Sequence, residues 1–319
     1  MRIQYMSDLH LELWDNSRYL RANEFEVVGD VLVLAGDTFY LRDTVAPQKK
    51  FWNWASKNFR QVLLVPGNHE FYSNSDVTAR GDSWQWMFRE NVGYYYNKVV
   101  RIDDTDFILT TLWSKIPEPD MYFVQRGMND FRQIMYDGRR FTPDDFNLEH
   151  EKCLKFLKQS LEESSAKHIV VVTHHLPTLK VVAAQHMGSV LNGAFATELG
   201  NYIADSRIDV WIYGHSHTNI DTTIGNTRIV CNQLGYIYYN ELRPFLAKQE
   251  VFNVKNQAAR LSFDDLITWK RDFSSLIYKE SNVYNRDIED YIANSRDQRI
   301  ESERITDKLR QFENDLWEF

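Results

Sequence analysis

The sequence predicts an α/β protein. Three observations carry this. Five short apolar runs, each bounded by Gly, Pro or Asp, have the length of buried strands. Amphipathic stretches at helical spacing lie among them. Each run is followed at once by side chains suited to hold a ligand: Asp8/His10, Asp37, Asn68/His69, His174/His175 and His215/His217. In open α/β sheets that carboxyl edge is where ligands bind.

The 319 residues suit one large domain with an appendage. A hydrophobic share of 43% is enough for a sizeable core. The net charge of -8 argues against a broad nucleic-acid footprint and leaves room only for a local basic patch. Cys153 and Cys231 are too few and too far apart for a disulfide framework and fit a reducing compartment. No leader is visible at the start, and no apolar run approaches the roughly 18 residues of a membrane span. A soluble, cytoplasmic protein without membrane contact is the expectation.

Residues 2–7 form the first expected strand, ending in Asp8-Leu9-His10. On an extended chain residues i and i+2 face the same way, so Asp8 and His10 are expected to point together while Leu9 enters the core. The plainer reading is a turn with a stray histidine. Residues 30–35 form the second strand, ended by Gly36-Asp37-Thr38, where Asp37 is a ligand or a helix N-cap. Residues 47–59 read as a helix with Phe51, Trp52, Trp54 and Ala55 inward. Residues 61–65 form the third strand and lead through Pro66 into Gly67-Asn68-His69-Glu70. Residues 75–91, with Trp84, Trp86, Met87 and Phe88, are expected to be a helix. Residues 98–102 and 106–113 read as a hairpin. Residues 114–142 form an irregular stretch that either covers the site or is a surface insertion.

Residues 147–165 give an amphipathic helix with Cys153 as a small core residue. Residues 168–172 form the fourth strand, ended by Thr173-His174-His175. Adjacent side chains on a strand point apart, so at most one of the two histidines joins a common site. Residues 209–213 form the fifth, ended by Gly214-His215-Ser216-His217, where Gly214 lets the backbone approach closely. Residues 228–232 add a further strand. From about residue 251 glycine disappears and charged helix formers dominate. This divides the chain into a catalytic domain over residues 1–250 and a helical C-terminal extension over 251–319. The extension packs on the core or serves as a homo-oligomer interface; the plainer reading is a solvated appendage.

Buried carboxylates and imidazoles need partners, and a metal is the common partner for so many. Oxygen and imidazole donors without thiolate suit Mn, Fe, Zn or Co. Asp8, His10, Asp37, Asn68, one of His174 and His175, His215 and His217 exceed what one tetrahedral ion takes. Two ions sharing a carboxylate would use them all.

Asp8-x-His10, Gly36-Asp37, Gly67-Asn68-His69-Glu70, a strand-terminal histidine and Gly214-His215-x-His217 follow the order of the five motifs of calcineurin-like metallophosphoesterases. Residues 2–240 resemble that family. The resemblance implies a four-layer α/β/β/α sandwich with a dinuclear site between sheet edges. It implies Asp8, His10 and His217 on one metal, Asn68, His174 and His215 on the other, and Asp37 bridging. His174 is preferred to His175 because it follows the strand and Thr173 directly; His175 would sit nearby. His69 would stay off the metals, near the scissile phosphate, to stabilise developing charge or protonate the leaving oxygen. Hydroxide on the metals would attack phosphorus directly, with no Ser or Cys nucleophile. The neutral Asn68 carbonyl would add a ligand without adding negative charge.

The run Gly36-Asp37-Thr38-Phe39-Tyr40-Leu41-Arg42 departs from the phosphoprotein phosphatases, which usually continue with Val-Asp-Arg-Gly. The low positive charge weighs against a nuclease. A small-molecule phosphodiester or phosphomonoester remains as the expected substrate, with Phe39, Tyr40, Phe71 and Tyr72 either stacking on it or packing the core. The competing readings are a catalytically weak scaffold on the same fold and a single-metal oxygenase.

Overall fold

The computed structural model describes residues 1–23, 25–239, 241 and 251–253. In chain order these hold β1 (Arg2–Met6), α1 (Trp14–Ala22), β2 (Val31–Ala35), α2 (Lys50–Asn58), β3 (Gln61–Val65), β4 (Trp84–Arg89), β5 (Val92–Tyr96), β6 (Lys98–Ile102) and β7 (Thr105–Leu109). Then come α3 (Met121–Gly127), α4 (Asp130–Gln133), β8 (Met135–Tyr136), β9 (Arg139–Arg140), α5 (Pro143–Glu163) and β10 (His168–Val172). The series closes with α6 (Gly200–Ala204), β11 (Val210–Ile212), β12 (Thr222–Ile224), β13 (Thr227–Val230) and β14 (Val251–Asn253).

Two six-stranded sheets form the frame, in the orders β14-β1-β2-β3-β5-β4 and β12-β13-β11-β10-β7-β6. β1, β2, β3 and β5 run parallel, as do β7, β10, β11 and β13; β14, β4, β6 and β12 are antiparallel edges. The chain passes from the first sheet to the second at buried Asn97, whose carbonyl Oδ1 accepts from the Thr110 hydroxyl at 2.6 Å.

Side chains alternate across a strand, and the two cores follow that alternation. Ile3, Tyr5, Val31, Val33, Leu63 and Val65 meet Phe107, Leu109, Val170, Val172, Val210 and Ile212 between the sheets. Their sequence neighbours Leu32, Leu34, Val62 and Leu64 face outward into a second core with Leu20 of α1 and Phe51, Trp52 and Ala55 of α2. Ile169 and Val171 face outward with Phe146, Cys153 and Leu157 of α5. This is helix on sheet on sheet on helix, the expected four layers.

Three local expectations change. Residues 75–91 are a short 3-10 turn, Val77–Arg80, followed by β4, not a helix. β4 pairs antiparallel with β5 at the sheet edge, and Trp84 and Trp86 stack on Tyr96 and Tyr94. Trp84, Trp86 and Phe88 recur at the strand period of two, and aromatic residues favour such half-buried surfaces. Val251–Asn253 forms an antiparallel strand against β1, where the charged texture suggested a helix. The remainder of the expected helical extension lies outside the described residues. The irregular stretch at 114–142 folds into short helices and the β8–β9 hairpin. Among the described residues no helix is long and apolar enough to cross a membrane.

Candidate metal centre

The loops after β1, β2, β3, β10 and β11 carry the five motifs, and they meet at one edge of the sandwich. Asp8 Oδ1 lies 3.3 Å from His217 Nε2, which lies 3.1 Å from His10 Nε2. His174 Nε2 is 3.1 Å from His215 Nδ1, 3.1 Å from Asn68 Oδ1 and 3.4 Å from Asp37 Oδ1. Asp37 Oδ2 is 3.9 Å from His10 Nε2 and 4.0 Å from His69 Nε2. Three donor groups result: Asp8/His10/His217, His10/Asp37/His69 and Asp37/His174/His215. Asp37 and His10 each belong to two of them.

The backbone that aims these groups is not extended. Asp8, His10, Asp37, His215 and His217 all have positive φ, between 46° and 76°. Asp8 and His10 are therefore not brought to one side by an extended i, i+2 backbone, as the sequence led one to expect. They come together because two left-handed turns fold the loop back on itself, while Leu9 is buried as expected. Close approach also constrains the glycines. A Cβ on Gly67 would collide with Asp37 Oδ1, and one on Gly214 would stand 2.7 Å from the Ala35 carbonyl.

The imidazoles are oriented from behind. His174 donates through Nδ1 to the Ala35 carbonyl at 2.9 Å. His10 Nδ1 meets Glu12 Oε1 at 3.0 Å, and His217 Nδ1 meets Glu241 Oε2 at 2.7 Å. In each case the outer nitrogen has an oxygen to donate to, which turns Nε2 toward the cluster. Fixing the tautomer through the far nitrogen is the usual device around metal-ligating histidines. Asn68 is held the same way. Its amide nitrogen donates to Asp130 Oδ1 at 2.7 Å, leaving Oδ1 to face His174.

The electrostatics are those of a cation-seeking site. Burial alone would lower the His174 imidazole, yet the Asp37 carboxylate outweighs it and pushes it up to about 9. Burial likewise opposes His217, which hydrogen bonds to Asp8 and Glu241 push up to about 10. Burial and the neighbouring His174 hold His215 well below the ordinary range. Its Nε2 is buried with no hydrogen-bond partner among the described residues. Imidazole nitrogens that face each other at 3.1 Å without an intervening oxygen fit a shared cation, since ligands about 2 Å from one ion stand about 3 Å apart.

His69 is set apart. Its Nδ1 meets Glu12 Oε1 at 3.0 Å and its Nε2 meets the Tyr236 hydroxyl at 3.1 Å. Its ring stacks on Tyr72 at 4.2 Å. Burial lowers the imidazole, but Asp37 and Glu12 together raise it above the ordinary value. His175 lies beside His215, with ring centroids 4.4 Å apart, and neither of its nitrogens has a hydrogen-bond partner among the described residues. Of the four aromatic residues near the motifs, Phe39 and Phe71 are core residues packed on Trp52 and Trp113. Tyr72 backs His69, and Tyr40 lies 6.3 Å from His69.

Sequence reasoning assigned no role to Glu12, Asp130, Tyr236 or Glu241, nor to Glu70 beyond its place in the Gly67–Glu70 motif. Glu70 joins two loops: its carboxylate accepts from the backbone N–H groups of Asp37, Thr38 and Gly67 and from the hydroxyls of Thr38 and Tyr94. The alternation Asp8-x-His10-x-Glu12 was a visible signal for Glu12. The other four needed the fold.

Comparison with known proteins places this geometry. The family profile for calcineurin-like phosphoesterases matches residues 1–219. A second profile, gliding motility associated protein GldN, matches residues 206–318. Uncharacterized protein L509 of Acanthamoeba polyphaga mimivirus is 28% identical, with 77% of this chain and 95% of that protein covered. Among solved structures, phosphopantetheinyl hydrolase PptH from Mycobacterium tuberculosis matches with a TM-score of 0.55 at 17% identity, covering 78% of this chain and 92% of that one. TT1561 of Thermus thermophilus matches with a TM-score of 0.43 at 13% identity, over 79% of this chain and 98% of that one. With five motifs in order, a four-layer sandwich and the family profile over its first 219 residues, the chain belongs to the calcineurin-like phosphoesterase family.

Proposed function

We propose that this chain is a dinuclear metal-dependent phosphoesterase acting on a small-molecule phosphodiester or phosphomonoester. The observation that carries the reading is the overlap of the donor groups: Asp37 and His10 tie the Asp8/His217 side to the His174/His215 side. Asp8, His10 and His217 would hold one ion, and Asn68, His174 and His215 the other, with Asp37 shared. Bound there, Mn, Fe, Zn or Co ions would polarise phosphoryl oxygens and acidify water.

The protein's own groups do the rest. His69 holds a proton at Nε2, favoured by Glu12 behind it and Asp37 beside it, and delivers it to the leaving oxygen. Tyr72 and Tyr236 keep its ring in place. Glu70 locks the Asp37 loop to the Gly67–His69 turn, so bridging carboxylate and acid move as one body. The Thr38-Phe39 sequence after Asp37 supports a small-molecule substrate over a phosphoprotein, since Phe39 fills the core and Thr38 is bound to Glu70.

The test is metal content measured beside hydrolysis of bis-p-nitrophenyl phosphate and p-nitrophenyl phosphate, on wild type and Asp37→Ala. Two metals per wild-type chain and turnover lost in the variant are expected. Protein that takes up no metal under Mn, Co or Zn loading would return the chain to the scaffold reading.

A further inference from the structure

We propose that the cavity beside His215 receives an apolar arm of the phosphoester substrate. This rests on the metal-centre reading above and names the part of the substrate that it leaves open. The cavity has a volume of about 170 Å³. Leu176, Val182, Ala183, Leu191 and Phe195 form its apolar wall, and Ser216 is among its lining residues. Two of these residues belong to both places. The Phe195 ring stacks on His215 at 4.4 Å with an interplanar angle of 28°. Ser216 is the residue between His215 and His217. None of the proposed ligands lines the cavity itself, but through Phe195 and Ser216 it stands one residue removed from His215 and His217.

Size and chemistry select the occupant. Pockets for whole ligands run to several hundred Å³, so this one takes a fragment. An apolar cavity of about 150 Å³ holds a single benzene ring, so a short alkyl chain or one aromatic ring fits. Two of the polar lining groups are engaged within the protein. Ser189 Oγ accepts from the Leu191 N–H at 3.2 Å, and the Asn192 amide donates to the His186 carbonyl at 2.9 Å. What the wall offers is mainly apolar surface; among the described residues no Lys or Arg lines it, and His186 is the one titratable side chain there.

The probes are methylphosphonate and n-butylphosphonate, which carry the same anionic head and differ in the arm. Their Kd values are measured by calorimetry on the Mn-loaded full chain, with bis-p-nitrophenyl phosphate turnover as a parallel readout. Burying three more methylenes is expected to tighten n-butylphosphonate at least roughly tenfold over methylphosphonate. Leu191→Asp, at a partly exposed position, should bring the ratio near one; Ala183→Phe, which fills the cavity, should do the same by another route. Equal Kd values in wild type, or a preference that survives both substitutions in folded protein, would overturn the apolar-arm assignment alone. If neither phosphonate binds and no ester turns over, the metal-centre reading falls and this proposal with it.

Discussion

Five of the seven expected ligands hold left-handed backbone, a conformation that costs a non-glycine residue about 1–3 kcal/mol. Such residues persist only where the surroundings over-determine them, and here hydrogen bonds from behind do so. Glu12 is the most economical of these supports, because one oxygen serves both His10 and His69 at 3.0 Å. Glu12→Gln keeps the shape and removes the charge. It is expected to lower kcat by about 10–100-fold. Because the Glu12 carboxylate helps raise His69, its loss should move the alkaline limb of the pH–rate profile to lower pH. His69→Ala should retain the metals and lose about 10²–10⁴-fold in rate; metal loss in step with activity would contradict that role. The pairing of Asp8 with His10 was legible in the sequence, but the reason given, an extended chain, was not the one the fold uses. Local turn geometry leaves little trace in residue type when Asp and His, rather than Gly, occupy the left-handed positions.

Among the elements, the buried parallel strands were the plainest to read. β2, β3 and β10 are near-continuous Val/Leu/Ile runs because both faces are covered. β4 and β5 were obscured by their composition. Tryptophan, phenylalanine and methionine at 84–88 satisfy a helical stripe as readily as an edge strand, and Val92-Gly93-Tyr94-Tyr95-Tyr96 lacks an apolar run. The helix at α5 begins earlier than its apolar stripe suggested, at Pro143, where Thr142 and Asp145 form a capping box. Thr142→Ala should lower stability by about 1 kcal/mol, or roughly 2–4 °C in Tm for a domain of this size. Burial alone would raise the Asp145 carboxyl, but hydrogen bonds from Arg139 and Thr142 outweigh it and hold it below the ordinary value. A depressed carboxylate stabilises above its unfolded pKa of about 3.9 and loses that contribution as pH falls through the folded value. The Tm difference between wild type and Asp145→Asn should therefore be full at pH 6 and shrink below about pH 4.

At the scale of the molecule, both sheets feed the centre. β1, β2 and β3 deliver Asp8, His10, Asp37 and Asn68; β10 and β11 deliver His174, His215 and His217. A cation held by both sets would link the sheets, and ligands that bind only the folded state stabilise it by mass action, by about 2.7 kcal/mol at a hundredfold excess over Kd. Thermal unfolding is therefore expected to fall by several degrees when Mn is stripped with EDTA. Asp37→Ala should start lower and respond little to the chelator. A wild-type Tm indifferent to EDTA would count against metal bridging of the sheets.

The crossing at Asn97 divides the chain into two unequal parts, β1–β5 and β6–β14, and neither owns a complete centre. His10 and His217, 3.1 Å apart in space, are 207 positions apart in sequence. During synthesis β1–β5 are made long before the histidines after β10 and β11, whereas β14, which pairs with β1, follows both. In refolding, helix signal and apolar burial within each part can recover first, since distant contacts form slowly. Turnover then reports the last event, the docking of one sheet on the other. The same division suggests a split protein: fragments cut at Asn97 would each be silent and would gain activity only on finding one another.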